Sequence, residues 1–116
     1  MLSRHFYFIP NQNGEIDFND SLKILKNVAE KSKNGKVKNM LVDVRNFVSV
    51  LSVPEIYEVI SELGKYREQF NRKIAVVYGL HYDEDKARFF EMSAQNRGFL
   101  INAFADYDEA VKWLSN

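Results

Sequence analysis

Three places in the chain carry side chains whose types and spacing could do chemistry. Asp43 and Arg45 sit at the end of an apolar run, Ser52 opens a helical signal, and His81, Asp83 and Asp85 alternate across a junction. A carboxylate inside a strand can serve as a general base or a phosphoacceptor. Receiver-type chemistry also needs an acidic pair after the first strand, where this chain reads Phe8-Ile9-Pro10. A buried charge must in any case be paired, so Asp43 is expected to be tied by backbone or arginine hydrogen bonds, with Arg97 as a candidate partner. Ser52 at a helix start would meet an anion or carry a phosphate. Glu55 three residues on makes a capping box, so Ser52 is expected to cap, and phosphorylation there is not expected. His81, Asp83 and Asp85 offer too few oxygens in a defined loop for a hard cation, and acidic residues in a first helical turn are ordinary dipole partners. No metal site is expected.

Other catalytic arrangements fail on residue type or spacing. His5 is remote from any serine with a suitable acid, so no nucleophile–histidine–acid set is visible. Gly14, Gly35, Gly64, Gly79 and Gly98 are isolated and build no phosphate cradle. Cysteine is absent, which excludes disulfides, thiol nucleophiles and cysteine zinc sites. The expectation is a domain without catalytic residues and without a cofactor.

Sixteen basic residues balance sixteen acidic ones, so no global field favours nucleic acid or anionic lipid, and no nucleic-acid partner is expected. Lys31, Lys33, Lys36 and Lys38 read as a solvated stretch. The first residues hold too short an apolar run for a signal peptide, and no run approaches the ~20 apolar residues of a membrane span. The expectation is a cytoplasmic protein without integral membrane association.

These side chains must be positioned by regular elements. Arg4 to Ile9 reads as a strand closed by Pro10 and the polar turn Asn11 to Gly14. Phe18, Leu22, Leu25, Val28 and Ala29 fall on one helical face, with Asp17 or Asn19 as cap and Gly35 suited to the exit. Met40 to Val44 is a strand buried on both faces, and Phe47 to Leu51 is a partly apolar connection. The helix opened by Ser52 would bury Ile56, Val59, Ile60, Leu63 and Phe70. Lys73 to Tyr78 is the clearest strand, Asp83 to Arg97 a helix with Gly98 at its end, and Phe99 to Phe104 a strand. Asp106 and Glu109 form a second capping box for a helix burying Tyr107, Ala110, Val111 and Leu114. Strand–helix alternation requires crossover connections, so at least the last three strands should be parallel and covered on both faces. Residues 1–116 are expected to form one α/β domain, with four helices around a sheet of four to five mostly parallel strands.

In open α/β sheets ligands sit beyond the C-terminal strand ends, which places Arg45, Asn46, Ser52, Gly79, Tyr82 and Phe104 around a site. On the third helix, Phe90 with Ala87 and Ala94 should face the sheet, while Phe89 and Met92 point elsewhere, as lid, dimer contact or pocket wall. The candidate ligand- or partner-binding set is therefore Arg45, Asn46, Ser52, Tyr82, Phe89, Met92 and Arg97.

The strand and exit Leu41-Val42-Asp43-Val44-Arg45-Asn46, the strand Lys73 to Tyr78, Asn96-Arg97-Gly98 and the terminal Glu109 to Leu114 come in a telling order and spacing. Together they resemble the SpoIIAA-like branch of the STAS fold, a group related to Sec14-like lipid-exchange domains. The regulatory members carry an Asp-Ser-Ser/Thr-Gly turn after the central strand and are phosphorylated there. The corresponding turn here reads Leu51-Ser52-Val53-Pro54, with Val53 at the acceptor position, so the resemblance implies a member without the phospho-switch. It also implies one strand fewer at the start, an open sheet edge and a possible homodimer. The expected function is a regulatory or binding domain acting through a protein partner. The alternative is a carrier or sensor of a small apolar, lipid-like ligand in a Sec14-like pocket.

Overall fold

The computed structural model describes residues 5–8, 14–31, 39–80 and 82–115. Four strands, β1 (His5–Phe8), β3 (Asn39–Asp43), β5 (Lys73–Val77) and β6 (Leu100–Phe104), form a parallel sheet in that spatial order. Two further strands, β2 (Gly14–Ile16) and β4 (Phe47–Ser49), make a separate parallel pair. Four helices, α1 (Phe18–Lys31), α2 (Val53–Leu63), α3 (Glu84–Asn96) and α4 (Tyr107–Ser115), complete the described chain.

The α/β class, the parallel sheet and the four helices follow the expectation. The β2–β4 pair does not: the sequence pattern puts Gly14 in a turn and Phe47 to Ser49 in a connection. Each of these strands has three residues, too few to establish an alternation. The second helix also stops earlier than its apolar pattern suggested. After Leu63 the chain tightens into a 3-10 turn, Gly64–Tyr66, and carries Phe70 back to the core. Gly35 and His81 lie outside the described residues.

Caps fix the helix starts. Asp17 and Asp20 bond reciprocally, the Asp20 N–H to Asp17 Oδ1 at 2.9 Å and the Asp17 N–H to Asp20 Oδ2 at 3.1 Å. Ser52 and Glu55 do the same at α2. Asp83 accepts from the N–H groups of Asp85 and Lys86, and Asp106 from that of Asp108. The reciprocal Glu109 half of the last box is not made among the described residues. At the end of α3 the Gly98 N–H reaches Gln95 O and the Phe99 N–H reaches Ala94 O. That pair of bonds needs a left-handed residue, and Gly98 supplies it at φ +90°.

Strand alternation assigns the two faces of the sheet. Met40, Val42, Ile74 and Ile101 look toward α1, α2 and α3. Leu41, Ala75 and Val77 look toward α4, where Ala110 and Leu114 meet them. The α4 side is also held at the C-terminal end of the helix. Asn39 Nδ2 donates to Leu114 O and Lys73 Nζ to Trp113 O, each at 3.1 Å. These carbonyls belong to the last turn and have no partner within the helix.

The β6 edge is sealed by side chains of α3. Arg88 Nη2 donates to Ala103 O at 3.1 Å, Glu91 Oε2 accepts from the Ala103 N–H at 2.8 Å, and Gln95 Nε2 donates to Ile101 O at 3.1 Å. Their spacing along the sequence places all three on one stripe of the helix. Backbone groups that would otherwise invite another strand are thus occupied. Replacing Glu91 by Ala removes the acceptor of a partly buried N–H and is expected to cost about 1–2 kcal/mol. A urea titration would show a lowered midpoint for Glu91→Ala and a smaller loss for Glu91→Gln, which keeps an acceptor.

Candidate functional site

Between the sheet and the three helices on its first face lies an apolar cavity of about 180 Å³, partly open to solvent. Its floor is Val42, Val44, Ile74, Val76, Ile101 and Ala103, from β3, β5, β6 and their exits. Ser21, Ile24, Leu25 and Val28 of α1 and Ile56, Val59 and Leu63 of α2 make its roof, with Ala87 and Phe90 of α3. Tyr78, Tyr82, Leu51 and Ile16 surround the end nearest the strand C-termini.

The cavity follows from how the helices sit. The backbone of α4 comes close to β3, β5 and β6, whereas that of α1 comes close chiefly to α2 and β2. Small residues on α4 permit the close approach, since Ala110 is fully buried there. On α1 the bulkier Leu22, Ile24 and Leu25 face inward yet stay half-buried. The space beneath them is not filled.

The tyrosines define its polar end. Tyr78 is buried, and its ring lies 5.6 Å from that of Tyr82 at a tilt of 54°. Arg88 Nη2 donates to the Tyr78 hydroxyl at 3.4 Å and is paired through Nη1 with Glu91 at 3.0 Å. The Tyr78 hydrogen bond raises the guanidinium pKa above its ordinary value; burial opposes the rise, and Glu91 adds to it. Arg88 is accordingly a fixed cation and no proton donor. Ser21 lines the roof, but its hydroxyl donates to Asp17 O at 2.9 Å. Lys86, at the start of α3, donates through Nζ to Leu51 O at 2.7 Å.

The residues singled out from the sequence scatter. Tyr82 alone among the seven lines the cavity. Phe89 packs beside it, against Leu51, Ile56 and Val59, and Met92 is 56% exposed. Ser52 is a cap: its oxygen accepts the Glu55 N–H at 3.3 Å while Glu55 Oε1 accepts from the Ser52 N–H and hydroxyl. Asn46 is exposed in the turn after β3.

Asp43 is paired with Arg45 and not with Arg97. Arg45 Nε and Nη2 donate to its two oxygens at 2.9 and 2.7 Å, and the Arg45 N–H adds a third bond at 3.1 Å. The bidentate fork suits neighbouring residues at a strand end, and it lies on the α4 face, with Arg45 over the Tyr107 ring at 5.1 Å. Arg97, past the far end of α3 from Tyr82, stacks instead over Tyr57 at 4.8 Å. Asp43, Ser52 and Arg97 therefore do not converge. Gly79 is required where β5 exits, because a Cβ there would meet Arg45 O at 3.0 Å.

Among the described residues no group of three or more His, Asp or Glu could hold a metal ion, and no helix is long and apolar enough to cross a membrane. No family model matches the chain, and no curated protein or solved structure matches it significantly.

Sequence reasoning passed over the α1 and sheet residues of the cavity because they carry an ordinary core pattern. The one available signal was Tyr78 with Tyr82, two polar-tipped rings at the end of an otherwise apolar strand.

The Asp43–Arg45 pair is a structural element with a measurable contribution. Asp43→Asn removes the charge from a buried acceptor of three N–H bonds and is expected to lower stability by about 1–3 kcal/mol. Denaturant midpoints would show the loss, and it should shrink little in 0.5 M salt because the carboxylate is out of water.

Proposed function

We propose that this is a non-catalytic binding domain of the SpoIIAA-like kind that carries or senses a small, largely apolar ligand in the cavity between the sheet and α1–α3. One observation carries the reading: about 180 Å³ of apolar space persists inside a small domain. Protein interiors are packed like organic crystals and hold few such voids. The lining of an unfilled apolar space forfeits the contacts that packed neighbours would make, which destabilises the domain. Water gains little there, since a buried water needs several polar partners. An apolar guest recovers the lost contacts.

Volume bounds the guest. An engineered apolar cavity of about 150 Å³ takes benzene, so this one suits a single ring or an alkyl segment of about six carbons. Burying six methylenes at about 0.8 kcal/mol each corresponds to a dissociation constant of about 0.3 mM. A stronger natural ligand would extend through the open end.

A second reading, regulation through a protein partner, draws on Val50 and the 95% exposed Leu80 in loops at the strand C-termini and on Val53 at the start of α2. Scattered exposed apolar residues are ordinary on a monomer surface, so the cavity takes precedence. A second copy would add at the β1 edge, as the β6 edge is already bonded.

Benzene or hexanol at ten times its dissociation constant should stabilise the folded protein by about 1.4 kcal/mol, or about 3–6 °C in Tm. Val76→Phe, which fills the floor, should abolish that response. No shift with either probe, in a protein whose Tm responds normally to denaturant, would remove the ligand-binding reading. Native mass spectrometry of freshly purified protein would report retained ligand and copy number together.

A further inference from the structure

Resting on the cavity reading, we propose that the guest is an amphipathic carboxylate, its tail in the apolar cavity and its head group on the ammonium of Lys86. Lys86 immediately precedes Ala87, a cavity residue, and its Nζ lies 2.7 Å from the carbonyl oxygen of Leu51, another. Lys86 does not itself line the cavity; its half-buried side chain and its bond to Leu51 O hold the ammonium against the backbone of a residue that does. An ammonium has three donors, and Leu51 O takes one. Among the described residues no carboxylate pairs with Lys86, although the first turn of α3 is acidic. The Asp83 side chain is already committed to the N–H groups of Asp85 and Lys86. Glu84 and Asp85 are exposed, where solvent screens them. A partly desolvated cation with spare donors beside an apolar void is matched by one compact anion on an apolar tail. Among the described residues two other cations stand near this end: Arg88 is bonded to Tyr78, Glu91 and Ala103, and Arg45 is forked on Asp43 at the α4 face, whereas the bond of the Lys86 ammonium goes to a carbonyl.

Isothermal titration with octanoate, 1-octanol and methyl octanoate at neutral pH and low salt tests this. The three share a chain length and differ in charge. Octanoate should bind about tenfold tighter than the neutral probes, and the margin should fall in 0.5 M NaCl. Lys86→Met should bring octanoate within about twofold of octanol while leaving octanol unchanged. Lys86→Gln, which keeps a donor for Leu51 O, covers the case in which the methionine variant does not fold. Lys112→Met, on α4, should change nothing. Octanol binding with no preference for octanoate, or a preference that survives both Lys86 variants, overturns this inference and leaves the cavity reading standing. Binding of none of the three probes overturns both.

Discussion

A parallel sheet must be covered on both faces, because its crossover connections lay helices over it and its strands carry apolar residues on each side. Here the two covers are unequal. On one face a single helix lies close, its small Ala110 and its Leu114 seated on Leu41, Ala75 and Val77. On the other, three helices share the span, and the backbone of α1 comes close chiefly to α2 and β2. Spatial strand order follows chain order, β1-β3-β5-β6, so successive right-handed crossovers place α1, α2 and α3 on the same side. Three helices over four short strands cannot all pack down at once. α1 seats Val28 and Ala29 in the core but leaves Leu22, Ile24 and Leu25 half-buried, and the cavity lies among the three helices and the sheet.

The α4 face is correspondingly the rigid one. Asn39 and Lys73 take carbonyls of the last turn of α4, while Arg45, locked on Asp43, covers the Tyr107 ring at its first turn. Polar contacts thus pin the helix at both ends, with apolar packing between them. The β6 edge is held in a similar way by Arg88, Glu91 and Gln95. Those contacts fix the position of α3, and with it Ala87 and Phe90, on the cavity side. A site whose floor and one wall are fixed while its roof is loosely packed can admit a guest without disturbing the sheet.

Element types were legible in the sequence because they rest on local patterns. Capping residues at Asp17, Ser52 and Asp106, and Gly98 at a left-handed exit, announce themselves within four residues, whereas Asp83, expected inside the first turn of α3, turns out to be its cap. The β2–β4 pair was not legible, since its six residues are held by pairing across more than thirty positions of chain and carry no local signature. The partner of Asp43 was misjudged for a related reason. Arg97 reaches the strand end only if the whole fold brings it there, whereas Arg45, two residues on, needs no long-range placement and forms the fork. The candidate site was the least legible part. Val42, Val76, Ile24 and Leu25 obey the same periodicity whether a helix sits down on a sheet or stands away from it, and the gap between layers leaves no trace in the pattern.

The same argument explains why the polar residues that first attracted notice lie outside the cavity. A side chain that signals chemistry in a sequence is one with charge or a hydroxyl, and such groups are satisfied locally wherever they can be. Ser52 turns to Glu55 and Asp43 to Arg45; each is consumed by its own neighbourhood. What is left to act on a ligand is the group whose local partner is only a carbonyl. Lys86 fits that description at Leu51, and the tilted Tyr78 and Tyr82 rings line the space at the same end. The apolar void supplies affinity without direction, and these few groups at the strand C-termini supply the direction.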